Sequence, residues 1–151
     1  MNTDKLHYAI LNELQKDARM SNAEIGRNVG LSAPAVAERI KRMQEEGIIK
    51  KFTTIIDAMK LNYQHKVVIA IRLPHSNIQS FIDEIEKIEG ITNVVHVTGK
   101  YCFLINMLVK STHELDLKIS QFSKFGTTTT FSVLSTPIES KSIYLDGDIF
   151  Q

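Results

Sequence analysis

The chain has 151 residues, 43% of them hydrophobic, which suffices for one domain or two small ones with a buried core and excludes an intrinsically disordered protein. Its single cysteine, Cys102, excludes an internal disulfide framework and fits a reducing compartment. No apolar run approaches the roughly 18 residues that a membrane span needs, so we expect a cytoplasmic protein. The net charge of +1 is too small to indicate nucleic acid by itself.

The first segment predicts an amphipathic helix that Thr3 or Asp4 opens. Leu6, Ile10 and Leu14 recur at four-residue spacing and therefore share one face. We expect this helix to pack behind the next two helices and to complete a three-helix unit.

The next stretch predicts two short helices joined by a tight turn. Ser21 and Glu24 have the spacing of a capping box, in which the hydroxyl accepts from an amide three residues on. Gly30 follows the first helix at a position that favours a left-handed residue. Ser32 caps the second helix, and Pro34 is tolerated in its first turn because that amide has no helical acceptor.

The second of these helices shows which side faces the core. Val36, Ile40 and Met43 fall on one apolar stripe, and small and basic residues lie opposite. A short helix, a turn and a second helix with small residues at its start suit the major groove of DNA. The alternative is an ordinary helical hairpin whose charged face is merely solvated.

Ten residues are candidates for DNA contact. We expect Ser21, Asn22 and Lys41 or Arg42 on phosphates. Arg39 is the doubtful member, because its border position also suits an internal salt bridge. The remaining candidates lie on the side of the second helix where base edges would be, and they are Ser32, Ala33, Pro34, Ala35 and Glu38.

The rest of the chain alternates strand and helix signals. Residues 52–56 are β-branched and predict a linking strand, and we divide the chain into domains 1–60 and 61–151. A second capping box, Ser76 with Gln79, predicts the start of a helix. The predicted order in the second domain is βαββαβ, a ferredoxin-like arrangement, so the fold class is α+β with an N-terminal helix-turn-helix domain. The predicted strands are 67–73, 91–97, 101–109 and 127–135.

Strand 101–109 is apolar on both faces. Leu104 and Leu108 point one way and Phe103, Ile105 and Met107 the other, so both sides of the sheet should be covered. The two helices of this domain cannot cover both. A second copy of the chain can, by stacking sheet on sheet; the alternative is that the tail after residue 137 folds over the open face.

One pattern of residues extends over nearly fifty positions and consists of Asp4, Ile10, Leu14 and Val36, with 17–19, 21–25, 29–32, 38–43 and 46–49. In this pattern the first fifty residues resemble the helix-turn-helix of the Lrp/AsnC regulators, a family of winged-helix-like DNA-binding proteins. The resemblance continues more weakly to the end of the chain, where it implies a domain for effector binding and oligomerisation, with dimers that often assemble into octamers.

The resemblance also implies an effector loop, for which the candidates are Thr98, Gly99, Lys100, Tyr101 and Cys102. In many family members this loop has the sequence Gly-Asp-Tyr-Asp, whose carboxylates suit the ammonium group of an amino acid. Here Lys100 and Cys102 replace the two carboxylates. We therefore expect either a ligand with an anionic group or a weak or absent response to neutral amino acids.

No catalytic or metal-binding pattern is present. The five histidines lack metal-ligand spacing, and no nucleophile, phosphate loop or dinucleotide motif occurs. We expect no enzyme activity and no cofactor beyond a possible small-molecule effector. The favoured function is a DNA-binding transcriptional regulator on the nucleoid, and the alternative is an architectural protein that wraps or bridges DNA without an effector.

Overall fold

The computed structural model describes residues 4–145, which form two compact units. The first unit contains the described residues up to Ile55 together with those from Ile138 onward. The second runs from Ile56 to Pro137. The chain therefore passes between the units twice. The functional division at residues 60 and 61 stays a prediction.

Three helices make up most of the first unit: α1 (Lys5–Lys16), α2 (Asn22–Val29) and α3 (Ala33–Glu45). The sequence fixes their ends locally. Asp4 caps α1 by accepting from the His7 amide, and Gly30 ends α2 with φ 74°. Four side chains from all three helices meet in a fully buried core, as the apolar periodicity predicts for α1 and α3: Ile10, Ile25, Val36 and Met43.

The turn between α2 and α3 packs directly on α2 at Gly26. A Cβ atom at Gly26 would lie 2.4 Å from the carbonyl oxygen of Leu31, closer than any side chain tolerates. The Leu31 amide donates to the Gly26 carbonyl oxygen at 2.8 Å, which closes the turn. Only glycine allows this approach of two backbone segments.

The second unit is a four-stranded antiparallel sheet with two helices, in the predicted order βαββαβ. The elements are β1 (His65–Arg72), α4 (Ile78–Ile85), β2 (Ile91–His96), β3 (Phe103–Val109), α5 (Thr112–Ser123) and β4 (Thr127–Ser132). The strands lie side by side as β2-β3-β1-β4, which is the ferredoxin-like topology. The Phe81 ring of α4 packs at a tilt against the Phe103 ring of β3, with ring centroids 5.0 Å apart, so this helix packs on the sheet.

Two local predictions are wrong. No strand forms at 52–56, because a strand needs a neighbouring strand and residues 4–145 supply none there. Ser76 and Gln79 do not form a capping box, since α4 begins at Ile78 after a short 3₁₀ turn and its N-cap residue, Asn77, makes no side-chain cap bond. Asn77 instead donates to the Phe125 carbonyl oxygen at 3.0 Å.

Within the described residues, no helix is both long and apolar enough to cross a membrane.

Candidate DNA interface and effector loop

The starts of α2 and α3 present the predicted DNA contacts in the first unit. Ser21 and Ser32 are the N-caps of the two helices, and their hydroxyls accept from amides three residues on, at 3.2 and 3.4 Å. Asn22 opens α2 and Pro34 lies in the first turn of α3, and both are exposed. Free amides at a helix start favour an anion, so these positions suit phosphate groups. Ala33 and Ala35 are half-buried and leave room for a close approach to a base edge.

Two basic side chains on the exposed side of α3 are held by acidic neighbours one turn away. Arg42 Nε lies 3.1 Å from Glu38 Oε1, and Lys41 Nζ lies 3.7 Å from Glu45 Oε1. All four side chains are largely exposed. Exposed pairs of this kind contribute only about 0.3–0.5 kcal/mol, so a phosphate can replace the carboxylate at little cost.

Arg39 has a different environment. Its Nη1 atom donates to both carboxylate oxygens of Asp4, at 3.1 and 2.9 Å, and lies 3.1 and 3.2 Å from the ring nitrogens of His7. His7 is 5% exposed, and the Arg39 side chain 25%. The geometry supports the internal ion pair, and the DNA contact of Arg39 stays a prediction.

The contacts of Asp4 with His7 and Arg39 determine the pKa of the Asp4 carboxyl. Burial raises the pKa of its carboxyl, but the His7 amide, the Arg39 guanidinium and the His7 ring together outweigh burial and lower it to about 2. Asp4 is therefore ionised at any physiological pH and holds α3 against the start of α1.

Sequence reasoning missed one exposed small residue on α3. Ala37 is exposed and lies three residues from Pro34 and four from Lys41, on the same side of the helix. Its small side chain belongs with Ala33 and Ala35 among the residues that permit close approach to a groove. The i, i+3 spacing from Pro34 was the signal that would have identified it.

The candidate effector loop joins β2 to β3. Thr98, Gly99 and Lys100 are exposed, and Gly99 has φ +124°, which favours glycine, with no atom within 4 Å of the place a Cβ would take. Cys102 anchors the loop: its amide donates to the Ile71 carbonyl oxygen at 2.8 Å. The Leu73 amide donates to the Cys102 Sγ atom at 3.4 Å. The cysteine is thus a half-buried structural residue.

Tyr101 brings the loop to β4. Its hydroxyl lies 3.3 Å from Thr129 Oγ1, and Lys100 Nζ lies 5.3 Å from the centre of its ring. The Thr129 hydrogen bond, with a smaller contribution from Lys100, lowers the Tyr101 pKa against the opposing effect of burial. Thr129 is a partner of the candidate loop that the sequence did not reveal, because it joins the loop only through the sheet. The arrangement is a positive charge over the Tyr101 ring, whose hydroxyl is paired with that of Thr129, and it suits an anionic or hydrogen-bonding ligand.

A separate apolar cleft of about 440 Å³ lies beside α4. Ile82, Ile88, Ile91 and Val94 contribute to its lining, and Glu86 is its charged member. None of the loop residues 98–102 lines it. Among the described residues, no group of three or more His, Cys, Asp or Glu side chains can hold a metal ion.

Comparisons with known proteins agree with this geometry. The family model described as winged helix-turn-helix DNA-binding matches residues 3–50, and the one described as Lrp/AsnC ligand binding domain matches residues 66–143. The transcriptional regulator AzlB of Bacillus subtilis is 36% identical over 71% of this chain and 70% of its own. The regulator LrpC of the same organism is 27% identical over 89% of this chain and 94% of its own.

Solved structures show the same two-unit fold. The structure of B. subtilis LrpC has a TM-score of 0.85 at 26% identity and covers 93% of this chain and 100% of that one. The structure of E. coli AsnC has a TM-score of 0.85 at 25% identity and covers 96% of this chain and 100% of that one. The predicted family and fold class are therefore confirmed, and the proteins of this family are transcriptional regulators and not enzymes. The chain belongs to the Lrp/AsnC family of DNA-binding transcriptional regulators, with an effector-binding domain in its second half.

Proposed function

We propose that α3 enters the major groove, with Ser21, Asn22, Lys41 and Arg42 on phosphates and the small residues at its start against base edges. The observation that carries this proposal is the exposed side of α3, where capped helix starts, small side chains and weakly held basic residues coincide. The protein then acts on the nucleoid, in the cytoplasm. Titration of duplex DNA with wild type and with variants on this side of α3 tests it.

The regulator acts as a dimer through the open face of its sheet. On this face Leu104 and Leu108 are half-buried, while Val95 and Phe131 are 42% and 49% exposed in the single chain. An apolar sheet face of this kind marks an interface. The described residues after 137 group with the first unit, which supports a second copy as the cover.

A dimer has a consequence for DNA. One chain carries a net charge of only +1 and binds phosphate weakly, whereas two linked helix-turn-helix units bind two half-sites and raise the affinity through effective concentration. The half-sites should be a whole number of helical turns apart. Sedimentation at micromolar concentration tests the dimer, and a monomer there contradicts it. Larger even-numbered assemblies, up to an octamer, would build on the same dimer.

The effector is a small molecule with an anionic group that faces Lys100. Thr98 and Gly99 shape the loop, and the Tyr101 and Thr129 hydroxyls supply polar partners beside the Lys100 ammonium. An α-ammonium group at this position meets a like charge, so neutral amino acids bind weakly. Calorimetry against the twenty amino acids and a panel of small carboxylates, with DNA titrations alongside, tests this. Micromolar binding of leucine that changes DNA affinity contradicts it.

One observation favours a second candidate function. Because Lys100 and Cys102 stand at the two positions for which the family resemblance implies carboxylates, the loop also has the composition of one that has lost its ligand. The protein would then bridge or wrap DNA constitutively as an architectural component. DNA affinity that no amino acid or carboxylate changes favours this function over an effector-responsive regulator.

A further inference from the structure

A short segment near the end of the chain, residues 142–145, lies along α1, and we refer to it as the C-terminal strap. The Asn12 carboxamide donates to the Leu145 carbonyl oxygen at 2.8 Å and accepts from the Leu145 amide at 3.2 Å. The Gln15 carboxamide donates to the Ile143 carbonyl oxygen at 2.8 Å and accepts from the Ile143 amide at 2.8 Å. Two side chains of α1 thus make four hydrogen bonds to main chain more than 120 residues away.

These paired bonds imitate a β-ladder. A carboxamide has one carbonyl oxygen and one NH₂ group, so it can donate and accept as a peptide group does. Alternate residues of the strap, 143 and 145, present both main-chain groups to α1, as alternate residues of a strand do to a neighbouring strand. Asn12 and Gln15 lie three positions apart and so share one side of the helix. The outer side of α1 is therefore built to hold extended main chain.

The strap is held by these bonds more than by apolar packing. Ile143 and Tyr144 are 70% and 78% exposed. Clefts of about 360 and 370 Å³ adjoin the strap, and its residues form part of the lining of both. Hydrogen bonds at the surface contribute little net stability each, so such a segment can open without unfolding the helix beneath it.

Connectivity gives this contact its consequence. The chain leaves the first unit after Ile55, forms the whole sheet unit, and returns to the first unit at Ile138. With the strap docked, the helix-turn-helix unit is joined to the sheet unit by two segments of chain; with the strap released, only the segment that follows α3 joins them. A second connection restricts the helix-turn-helix unit before DNA binds, so that less conformational entropy is lost when the protein binds DNA.

We propose that the outer side of α1 is a docking surface for the chain's own C-terminal strap, and that docking fixes the helix-turn-helix unit for binding of two half-sites at once. This inference rests on the dimeric DNA binding proposed above. Release of the strap lowers the effective concentration of the second helix-turn-helix at its half-site. Affinity for a single half-site should not depend on the strap, because the hydrogen bonds described for the strap go to Asn12 and Gln15 of α1 and not to α3.

The test uses the full-length protein with Asn12 and Gln15 both changed to alanine. Alanine removes all four bonds, adds no charge next to DNA and favours the helix, so α1 stays folded. The control is Gln121→Ala, an exposed carboxamide on α5. Hydrogen exchange at the Ile143 and Leu145 amides reports docking. DNA affinity is measured on a duplex selected by the wild type from a random pool, and on the same duplex with one half-site scrambled.

In the wild type and the control, we expect both amides to exchange at least tenfold more slowly than in a free peptide. In the double variant, the protection is lost, affinity for the two-site duplex falls at least fivefold, and affinity for the single site stays within twofold. If the Ile143 and Leu145 amides of the wild type exchange as fast as those of a free peptide, the proposed docking surface is wrong. Lost protection with unchanged two-site affinity overturns its role in DNA binding. If the wild type selects no duplex from the random pool, the proposed DNA contacts themselves are wrong. The hydrogen exchange measurement then still tests the docking surface.

Discussion

Arg39 and Asp4, 35 positions apart, are joined by two hydrogen bonds from one guanidinium nitrogen, at 2.9 and 3.1 Å. The bond ties the middle of α3 to the residue that caps α1. One nitrogen of the Arg39 guanidinium is held in this way, whereas Arg42, three residues further along α3, has only the exposed carboxylate of Glu38 as its partner. We therefore expect the two arginines of α3 to differ, with Arg39 orienting the helix and Arg42 on its exposed side.

The first prediction concerns Asp4 and pH. Its folded pKa of about 2 lies below the ordinary value of 3.8, so the carboxylate stabilises the fold above pH 3.8, and this contribution is lost as the pH falls toward 2. Asp4→Asn keeps a good N-cap but removes the charge. Because the side chain is half exposed, we discount the pKa shift for screening and expect a loss of about 1 kcal/mol at pH 7.

Denaturant unfolding of wild type and Asp4→Asn between pH 2 and 7 measures this difference. The gap between the two curves should shrink as the pH falls below 3.8 and should be small near pH 2, where half of the Asp4 carboxyl groups in the folded wild type are protonated. Asp57→Asn, an exposed acid that caps the 3₁₀ turn at Ala58, is the control for loss of a carboxylate at a cap. A constant gap between the curves at every pH would mean that the charge of Asp4 does not act through Arg39 and His7.

The second prediction separates the basic residues of α3. Arg42→Ala and Lys41→Ala should each weaken binding to all duplexes and flatten the salt dependence of log affinity by about one unit of slope, as the loss of one phosphate contact does. Arg39→Ala should instead lower the free energy of unfolding and leave the slope unchanged. Titrations across a salt series, together with urea unfolding, measure both. Unchanged affinity and slope in Arg42→Ala and Lys41→Ala would remove this side of α3 from the interface.

A structural feature could be predicted from the sequence when the residues that determine it are close together in the chain. Ser21, Gly30 and Ser32 define the ends of α2 and α3 within three or four residues, so the helix-turn-helix was predictable. The pairing of β1 with β3 and β4 also followed, since the order βαββαβ permits few topologies.

Features that depend on distant partners were not predictable. Tyr101 reaches Thr129 only because the sheet brings them together, and Asn12 on α1 looks like an ordinary solvated residue until Leu145 lies beside it. Residues 52–56 have strand composition, but composition cannot supply a neighbouring strand. For the same reason the capping signal at Ser76 failed, because Asn77 is engaged by Phe125, 48 residues away.

The third prediction concerns the turn of the helix-turn-helix. Gly26→Ala places a methyl group 2.4 Å from the Leu31 carbonyl oxygen, so the turn must move away from α2. Overpacking of this kind costs about 1–3 kcal/mol, and we expect weaker DNA binding as well, because Ser32 and the start of α3 move with the turn. Gly30→Asn is the control, since no atom lies within 4 Å there and asparagine tolerates φ 74°.

Thermal unfolding and DNA titration of these two variants provide the measurement. Stability of Gly26→Ala equal to that of the wild type would show that the two backbone segments are not in contact in solution.

The fourth prediction concerns the dimer. Leu104 pairs in register with Ala70 and Val95, so a charge placed there has only apolar neighbours across the strands. Leu108 is a poorer choice, because Lys66 lies directly opposite and would neutralise an introduced carboxylate. Leu104→Glu should therefore dissociate the dimer, at a cost of several kcal/mol for a buried unpaired charge. Sedimentation equilibrium measures it.

Leu117→Glu is the matched control for Leu104→Glu. Leu117 is 52% exposed on α5, on a helix rather than on the open sheet face. The control variant should sediment as the wild type does. A dimer that survives Leu104→Glu would place the interface elsewhere and would remove the support for paired half-sites.

The last prediction tests the charge of the effector. Lys100→Asp restores an acidic residue in the β2–β3 loop, beside the Tyr101 hydroxyl and Thr129. Reversal of this charge should weaken binding of small carboxylates at least about tenfold, or 1.4 kcal/mol, and should strengthen binding of neutral amino acids by attraction of their ammonium group. Loss of the Lys100 charge should also bring the pKa of Tyr101 closer to its ordinary value, since Lys100 helps to lower it.

Lys110→Asp is the control, because Lys110 also lies over a tyrosine, Tyr63, with Nζ 5.4 Å from the ring centre, but outside the loop. Calorimetry compares ligand binding by wild type, Lys100→Asp and Lys110→Asp, and an NMR pH titration of the assigned Tyr101 ring signal follows the pKa of that tyrosine alone. Equal shifts in ligand preference in both variants would mean that the net charge of the domain, and not Lys100, selects the ligand. No ligand for the wild type, together with amino-acid binding by Lys100→Asp, would show that the lysine has abolished sensing, and the architectural function would then hold.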